Sequence, residues 1–475
     1  MKRKKDFFVS LYCCPSTGRE GEGVYPNRIN DAVYGALKDA GVNAIYGHYE
    51  SFADRSVIPQ ELSLAEKHGL SFYPEEAIFN EFVYEEGAVL PSGKRPFLSL
   101  SEEEKKALAE KMVRCVAQYI NHPACPGIFF SDEFGLKAMD GIGYAKRAFE
   151  EAFPEKEFHF NEFNYLADDA IFEYGNARPK APVEPWKGGL SYGEEHRFAR
   201  YDHFLDEVIR KVHPQQLSQD LYPFGFASIW GKLPCVHRGL YETCAFFADK
   251  KRRTNHSFSY LHYIQTGAWG EDCLDVDEGM LALQINMALA YGHEGVVFFP
   301  GCFPEEWAPE VDPAKAAYDH GASGLIDLYG RPTKYLAYAK RVLSQAFAMA
   351  PYSLDSEFLG VSSLGRYAPG YAEEDISSLP WNSAIYRGDL PPFCRYSPTR
   401  LILQEPSSQI MVSSFLFHEK EIYLLLNTSV VQSASCLVGL SDADHGLLIQ
   451  GSSSISLPDE PFPLSLKPGE AVLLL

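Results

Sequence analysis

The sequence predicts an α/β chain that ends in a small all-β domain, and three observations lead to this prediction. Short apolar runs alternate with amphipathic, helix-like segments from residue 6 to about residue 345. Eight such runs with intervening helices match a (β/α)8 TIM barrel with long loops. After residue 400 the pattern changes to short β-type runs, several of them separated by turns rich in Ser, Asp and Gly, which predicts an antiparallel β-sandwich.

The predicted barrel strands are short apolar runs, and the predicted helices carry recognisable ends. Gly41 and Gly69 each follow a helix-like segment and suit its end. Ser101 followed by three glutamates suits a helix start, where carboxylates complement the helix dipole. The predicted strands are 7–12, 44–49, 71–74, 127–131, 158–163, 217–222, 257–264 and 295–299. The predicted helices are 27–40, 59–68, 101–120, 194–212, 239–251, 278–291 and 334–349.

A doubly wound open sheet is the rival architecture for the first 350 residues. That fold usually carries a Gly-rich phosphate-binding turn after its first strand. The turn after the first strand here contains Gly18, Gly21 and Gly23, which do not have the G-x-G-x-x-G spacing. Glu20 and Glu22 also stand where a phosphate would bind. The barrel is therefore the favoured prediction.

Three regions follow from this pattern. Residues 1–350 are predicted to form the barrel, residues 351–400 a linker or wrapping segment, and residues 401–475 the C-terminal β-sandwich. The last region is short and is expected to depend on the barrel for stability. Its predicted strands are 401–403, 410–417, 421–427, 435–438, 446–449 and 471–475.

Composition restricts the partners of the chain. A formal net charge of −21 over 475 residues argues against nucleic acid, because phosphate binding needs clustered Lys and Arg. No run approaches the roughly 18 apolar residues of a membrane span. The N-terminus lacks a signal cleavage pattern, and the ten cysteines show no C-x-x-C spacing. The expectation is a cytoplasmic protein without a nucleic-acid or membrane partner, and its oligomeric state is left open.

The most informative feature is the end of the predicted strand 127–131. Asp132 and Glu133 follow directly after it, and folding alone does not require acids there. The carboxyl ends of parallel strands are where α/β barrels carry out chemistry. Burial next to an apolar strand raises a carboxyl pKa towards the range of a general acid. Glu133 is therefore the first candidate for a catalytic acid, with Asp132 beside it.

Acids, amides and aromatic residues also follow the other predicted strands. This mixture suits a ligand rich in hydroxyl groups, although each side chain could equally be a loop charge, a helix cap or part of the core. The candidates for contact with the ligand are Glu50, Glu162, Asp220, Tyr222, Gln265 and Trp269.

The order of elements resembles that of the TIM-barrel glycoside hydrolases, in which the general acid/base is a Glu at the end of the fourth strand. Glu133 stands at that position. A closing turn and a β-sandwich after the barrel are similar too. The segments that carry the resemblance are 122–127, 131–135, 220–224, 284–292, 324–327 and 330–333.

Two residues depart from the largest clan of that superfamily. The residue before the strand-four Glu is Asn in the clan and Asp132 here, and the strand-seven nucleophile is a Glu in the clan, whereas Gln265 occupies the expected position here. Glu271 could replace it only in a different register. The adjacent pair Asp132 and Glu133 instead resembles hexosaminidases that use substrate assistance, where the Glu protonates the leaving oxygen and the Asp orients the acetamido group of the substrate. An inverting enzyme with Asp220, Glu162 or Glu50 as the base is also open.

The predicted function is a glycoside hydrolase that acts on oligosaccharides or glycosides. The alternative is a carbohydrate-binding barrel that has lost catalysis, and a third hypothesis is a lyase or isomerase. No cofactor is expected. No metal is expected either, because the histidines lack a ligand spacing such as H-E-x-x-H. The G-x-S-x-G match at 189–193 does not follow a strand and is interpreted as a chance match.

Overall fold

The computed structural model describes residues 6–17, 25–47, 55–84, 90–165, 167–175, 194–224, 233–255, 258–268, 274–304, 324–364, 394–441, 446–451 and 453–475. These residues form two compact units. The central unit comprises Tyr12–Tyr34 and Asn43–Asp220, and the terminal unit comprises Met1–Leu11, Gly35–Val42 and Leu221–Leu475. No helix of the described residues is long and apolar enough to cross a membrane.

Strands and helices alternate over the first 354 residues, as the sequence predicts. The strands are β1 (Phe8–Leu11), β2 (Ala44–Tyr46), β3 (Ser71–Tyr73), β4 (Gly127–Asp132), β5 (Glu157–Asn161), β6 (Gln216–Asp220), β7 (Ser259–Gln265) and β8 (Gly295–Phe299). The helices are α1 (Asp31–Asp39), α2 (Ile58–His68), α3 (Glu102–Val116), α4 (Met139–Ala152), α5 (Asp169–Tyr174), α6 (Glu194–Val212), α7 (Leu233–Arg253), α8 (Glu278–Ala290) and α9 (Lys334–Leu354).

The central unit contains neighbouring strands in the order β2, β3, β4, β5 and β6. β2 and β3 pair in parallel, and so do β4 and β5. Main-chain hydrogen bonds join β3 to β4, from the N–H of Phe72 to the carbonyl of Ala124 at 2.8 Å and from Phe129 to Pro74 at 3.2 Å. A parallel bridge between Glu162 and Gln219 joins the end of β5 to β6. The carboxyl ends of these strands therefore lie along one edge.

The terminal unit contains the parallel neighbours β1, β8 and β7 and the helices α7 to α9. Helix α8 is buried on all sides from Met280 to Ala290, which explains why, apart from Gln284 and Asn286, its residues are apolar all round rather than along one stripe. The observed parallel strands with intervening helices are an α/β arrangement. Closure of all eight strands into one barrel stays a prediction.

The C-terminal residues form antiparallel sheets, as predicted. One sheet has the order β15 (Ser453–Ser456), β14 (Leu447–Gln450), β17 (Ala471–Leu474), β12 (Lys420–Asn427), β11 (Ile410–Phe417) and β9 (Glu357–Leu364). The other has the order β10 (Leu401–Gln404), β13 (Ala434–Leu440) and β16 (Phe462–Leu466). Residues from both sheets share one apolar core. Residues 357–364, within the predicted linker, thus form a strand paired with β11, while 365–393 lie outside the described residues.

Candidate active site

The candidate site begins at the end of β4. Ile128, Phe129 and Phe130 are completely buried, whereas Asp132, the last residue of the strand, is partly exposed. Glu133 follows in the left-handed region of backbone conformation, with φ at 54°. A residue with a side chain costs of order 1–3 kcal/mol in such a conformation, and such residues concentrate at functional sites. The surrounding structure must therefore hold the main chain of Glu133 in this unfavourable conformation.

Two glycines impose that geometry. A methyl group added at Gly175 would lie 2.6 Å from the carbonyl oxygen of Glu133, and one at Gly135 would lie 2.4 Å from the carbonyl oxygen of Glu173. Gly175 itself ends α5 with a φ of 60°. The turn at 133–135 and the end of α5 are therefore packed main chain against main chain, which leaves Glu133 little room to relax.

Asn161, the last residue of β5, connects the neighbouring strands. Its side-chain Nδ2 donates to Asp132 Oδ1 at 2.9 Å, and its Oδ1 accepts from the hydroxyl of Ser218 at 2.8 Å. Its carbonyl accepts from the N–H of Glu133 at 3.1 Å. Since Asn161 is 1% exposed, these bonds fix the positions of Asp132 and Glu133 relative to β5 and β6.

The structure brings the carboxyl groups of Asp132, Glu133 and Asp220 together. Burial raises the pKa of Asp132 well above its usual range, and the neighbouring charge of Glu133 adds to this, while the hydrogen bond from Asn161 opposes it. Burial also raises the pKa of Asp220, helped by the charges of Glu133 and Asp132 and by a hydrogen bond between the Asp220 and Glu133 carboxyls. Asp132 and Asp220 therefore retain a proton to a higher pH than ordinary carboxyl groups do.

Glu162 lies next to this cluster and is fully buried. Its Oε2 accepts from the N–H of Ser218 at 3.3 Å, and its Oε1 has no hydrogen-bond partner among the described residues. Burial raises its pKa well above the usual range. Tyr201 of α6 is close enough that the charges of Glu162 and Asp220 contribute to the raised pKa of its phenol. With no exposed surface, Glu162 gains no support as a substrate contact.

Two further candidates belong to the terminal unit. The ring of Tyr222 stacks on that of Phe299 with centroids 5.0 Å apart, and Tyr222 is 9% exposed. Gln265 is fully buried. Its Oε1 accepts from the N–H of Phe224 at 2.9 Å, and its Nε2 donates to the carbonyl of Gly267 at 2.9 Å. Both ends of the Gln265 amide therefore bind main-chain groups, which is a structural role. This geometry does not support the predicted contact between Gln265 and the substrate.

Glu50 and Trp269 lie outside the described residues, as do Glu271 and the segment 189–193. Within the residues that the structure describes, no group of three or more His, Cys, Asp and Glu side chains could hold a metal ion. Asn161, Ser218 and Gly175 were not predicted as site residues from the sequence. Sequence patterns hardly indicate such residues, because an amide, a hydroxyl or a glycine supports a site only through contacts between segments that are distant in the chain.

Comparisons with known proteins bear on the fold. No protein-family model matches the sequence, and no protein of curated function does. The structure is similar to a catalytic mutant of Gan42B, a GH42 β-galactosidase from G. stearothermophilus, with a TM-score of 0.51, 9% sequence identity, and coverage of 99% of this chain and 98% of that one. It is similar to an α-amylase from Lactobacillus plantarum with a TM-score of 0.50, 9% identity, and the same coverage of 99% and 98%.

An exo-β-1,4-mannosidase, Op5Man5 from an Opitutaceae bacterium, strain TAV5, matches with a TM-score of 0.45 and 13% identity over 74% of this chain. The match spans 61% of the length of that mannosidase. At these identities the likeness concerns the fold alone. The resemblance in fold to glycoside hydrolases, predicted from the sequence, is confirmed by the two matches that cover nearly the whole of both chains, whereas closure of the barrel stays a prediction.

Proposed function

We propose that this chain is a glycoside hydrolase that acts on oligosaccharides or glycosides, with Glu133 as the general acid/base. The observation that carries the proposal is the carboxyl cluster at the ends of β4 and β6, where Asp220 hydrogen-bonds Glu133 and burial raises the pKa of Asp220. A group that retains a proton near neutral pH is what protonation of a glycosidic oxygen requires. The glycosidases of similar fold make a saccharide the natural class of substrate.

In the proposed reaction Glu133 delivers a proton to the leaving oxygen. The bond between the anomeric carbon and that oxygen breaks, and its electron pair stays on the oxygen that receives the proton. Glu133 delivers the proton because it is more exposed than Asp220, which stays 9% exposed behind it. Asp220 holds the proton in place before the reaction.

The closeness of Glu133 and Asp220 bears on the mechanism. In two-carboxylate glycosidases the carboxyl groups stand about 5–5.5 Å apart for retention and about 6.5–9.5 Å apart for inversion. The charges of Glu133 and Asp220 interact closely, which leaves no room for a sugar ring between these two carboxyls, so they are not proposed as acid and base on opposite faces of a sugar. This favours substrate assistance, with Asp132 orienting an acetamido group whose oxygen attacks the anomeric carbon as the leaving oxygen departs. Water then opens the resulting oxazoline ring at the anomeric carbon, and Glu133 accepts the proton that this water loses. Glu50, Tyr222 and Trp269 remain proposed contacts with the sugar.

A panel of 4-nitrophenyl glycosides tests this proposal. The panel should pair each hexoside with its 2-acetamido-2-deoxy counterpart, and each should be assayed with the wild-type chain and with Glu133→Gln. The expected result is hydrolysis by the wild type that Glu133→Gln abolishes, with the 2-acetamido sugars preferred. Hydrolysis that is the same in both chains would refute the role of Glu133. Equal turnover of the plain and acetamido sugars would leave the hydrolase standing and exclude substrate assistance.

A further inference from the structure

A cavity of about 540 Å³ lies in the central unit, on the outer side of α6. His203, Glu207 and Lys211 line it, and their spacing of four residues places them on one face of the helix. Tyr201, Leu205 and Val208 of the same helix are turned away from these three residues and are buried in the core. The cavity is therefore on the solvent side of this helix.

The same helix separates the cavity from the carboxyl cluster. Tyr201 lies near Glu162 and Asp220, whose charges contribute to the raised pKa of its phenol. His203 follows two residues later, about 200° further around an α-helix. None of the cluster residues Asp132, Glu133, Glu162 and Asp220 lines the cavity. The cavity is thus a place distinct from the candidate active site.

The charged groups around the cavity are held in place by one another. Lys211 Nζ lies 2.8 Å from Asp140 Oδ2, and Lys137 Nζ lies 3.8 Å from Glu173 Oε1. Lys137 also lies over the ring of Tyr174, 4.1 Å from its centroid. Lys137 Nζ also donates to the hydroxyl of Tyr174, whereas a carboxylate has about four acceptor positions, so Asp140 and Glu173 keep acceptor capacity for a ligand.

The balance of charge indicates the class of that ligand. Two lysines, a histidine and three carboxylates surround the cavity, so hydrogen-bond donors and acceptors alternate around it and no large excess of one charge faces a ligand. A neutral molecule with many hydroxyl groups can use both the donors and the acceptors. Leu98, which is 58% exposed, and Tyr84 add an apolar wall of the kind that packs against the C–H face of a sugar ring. The volume is within the range of about 300–1,000 Å³ of small-molecule sites.

We propose that this cavity is a second, non-catalytic saccharide-binding site. The choice of a saccharide over another neutral polyol rests on the proposed function, whereas the location and the chemistry of the site rest on the cavity itself. Leu98 supplies the apolar wall, and the pairs Lys211–Asp140 and Lys137–Glu173 supply the polar contacts.

Hydrogen–deuterium exchange of the full chain with mannobiose, galactobiose and N,N′-diacetylchitobiose tests the proposal. At least one of these sugars should slow amide exchange at both 136–140 and 203–211. Leu98→Asp should weaken that sugar about tenfold, because it replaces the apolar wall by a charge. Val431→Asp is the matched control, since Val431 is 53% exposed in the C-terminal region and lines no part of the cavity.

The failure of this proposal can be separated from the failure of the proposed function. If none of the three sugars protects both segments, or if Leu98→Asp binds as tightly as the wild type, the second site is refuted even when 4-nitrophenyl glycosides are hydrolysed. If a sugar protects both segments and Leu98→Asp removes the effect while no glycoside is hydrolysed, the second site stands and the hydrolase does not. Hydrolysis of 4-nitrophenyl glycosides by Leu98→Asp should equal that of the wild type.

Discussion

Buried polar side chains serve opposite purposes in two regions of this molecule. In the C-terminal sheets, Asn427 is fully buried and its Nδ2 donates to the carbonyls of Gln432 at 2.8 Å and Lys467 at 2.9 Å. Its Oδ1 accepts from the N–H of Ser429 at 3.0 Å. At the ends of β4 and β6, by contrast, Asp220 Oδ1 has no hydrogen-bond partner among the described residues, and the Asp220 carboxyl lies near the carboxyls of Glu133 and Asp132.

The difference separates residues that stabilise the fold from residues whose placement costs stability. A buried polar group with all its hydrogen bonds made stabilises a unique structure, whereas an unpaired or like-charged buried group destabilises it. Proteins keep such costly arrangements mainly at functional sites. The two regions should therefore respond to substitution in opposite ways.

The largest expected effect is the loss of activity in Glu133→Gln. Removal of a general acid costs about 10²–10⁴-fold in rate. The free energy of unfolding should not fall, because the substitution removes a charge that is repelled by its neighbours. Turnover of a 4-nitrophenyl glycoside and urea unfolding measure the two quantities. Glu151→Gln, at an exposed position on α4, is the control and should change neither. A Glu133→Gln chain that is less stable than the control would contradict the statement that the placement of Glu133 costs stability.

Asn427→Ala should show the opposite behaviour, with stability lost and turnover kept in the folded chain. The substitution removes the donor that the carbonyls of Gln432, Leu466 and Lys467 share, which costs about 3 kcal/mol in the free energy of unfolding. Urea unfolding followed by circular dichroism measures this change. Gln404→Ala, at an exposed position of β10, should stay within about 0.5 kcal/mol of the wild type. A loss at Asn427 no larger than that would contradict its stabilising role.

Gly175→Ala should lower both the free energy of unfolding and the rate of catalysis, unlike the two preceding variants. The added methyl group meets the carbonyl of Glu133 at 2.6 Å, so the turn must shift, at a cost of about 2 kcal/mol. The turnover number should fall while KM stays near that of the wild type, since the substrate contacts remain. Gly93→Ala is the matched control. It has a φ of 78° but nothing within 4 Å, and so it bears only the backbone cost of about 1 kcal/mol. Equal effects of the two substitutions would show that the contact with Glu133 is unimportant.

The smallest expected effect concerns Glu61, a buried carboxyl group that has no part in the proposed catalysis. Glu61 of α2 is fully buried, neither of its carboxylate oxygens has a hydrogen-bond partner among the described residues, and burial raises its pKa well above 4.5. The folded state therefore binds a proton more tightly than the unfolded state, so the stability that Glu61 contributes is present below pH 4.5 and lost as pH rises above it.

Glu61→Met should accordingly be more stable than the wild type at pH 7 by about 1 kcal/mol, with a smaller difference at pH 4. Turnover should not change, because Glu61 lies outside the carboxyl cluster. Asp220→Asn is the companion variant. In this variant the free energy of unfolding should fall less as the pH rises above 4, and turnover should fall as well. Unfolding curves at both pH values give the comparison. A Glu61→Met chain that is less stable at pH 7 would contradict the account of this residue.

Sequence patterns predicted the regular elements well and the irregular ones poorly. The end of β4 at Asp132 and the start of α3 after Ser101 were predicted, because an apolar run and a capping box are local signals. Helix α4 was not predicted, because Gly141 and Gly143 lower its helix propensity. Both glycines are explained only by tertiary contacts, since a methyl group at either would meet the carbonyl oxygen of Phe82 or of Lys211.

The candidate site shows the same limit. The adjacent acids Asp132 and Glu133 could be found in the sequence because they interrupt an apolar pattern. The left-handed backbone of Glu133 and its contact with Gly175 could not, because they join segments about 40 residues apart. The structural role of Gln265 was also hidden, since an amide at a strand end suits a ligand contact and a main-chain anchor equally well.

The most direct test of the central claim is the dependence of the Glu133→Gln defect on the leaving group. Glycosides of the same sugar with 4-nitrophenol and with the far more acidic 2,4-dinitrophenol should be compared in the wild type and in Glu133→Gln. If Glu133 protonates the leaving oxygen, the defect should be large for 4-nitrophenol and small for 2,4-dinitrophenol, which departs without a proton. The same defect for both leaving groups would contradict the account.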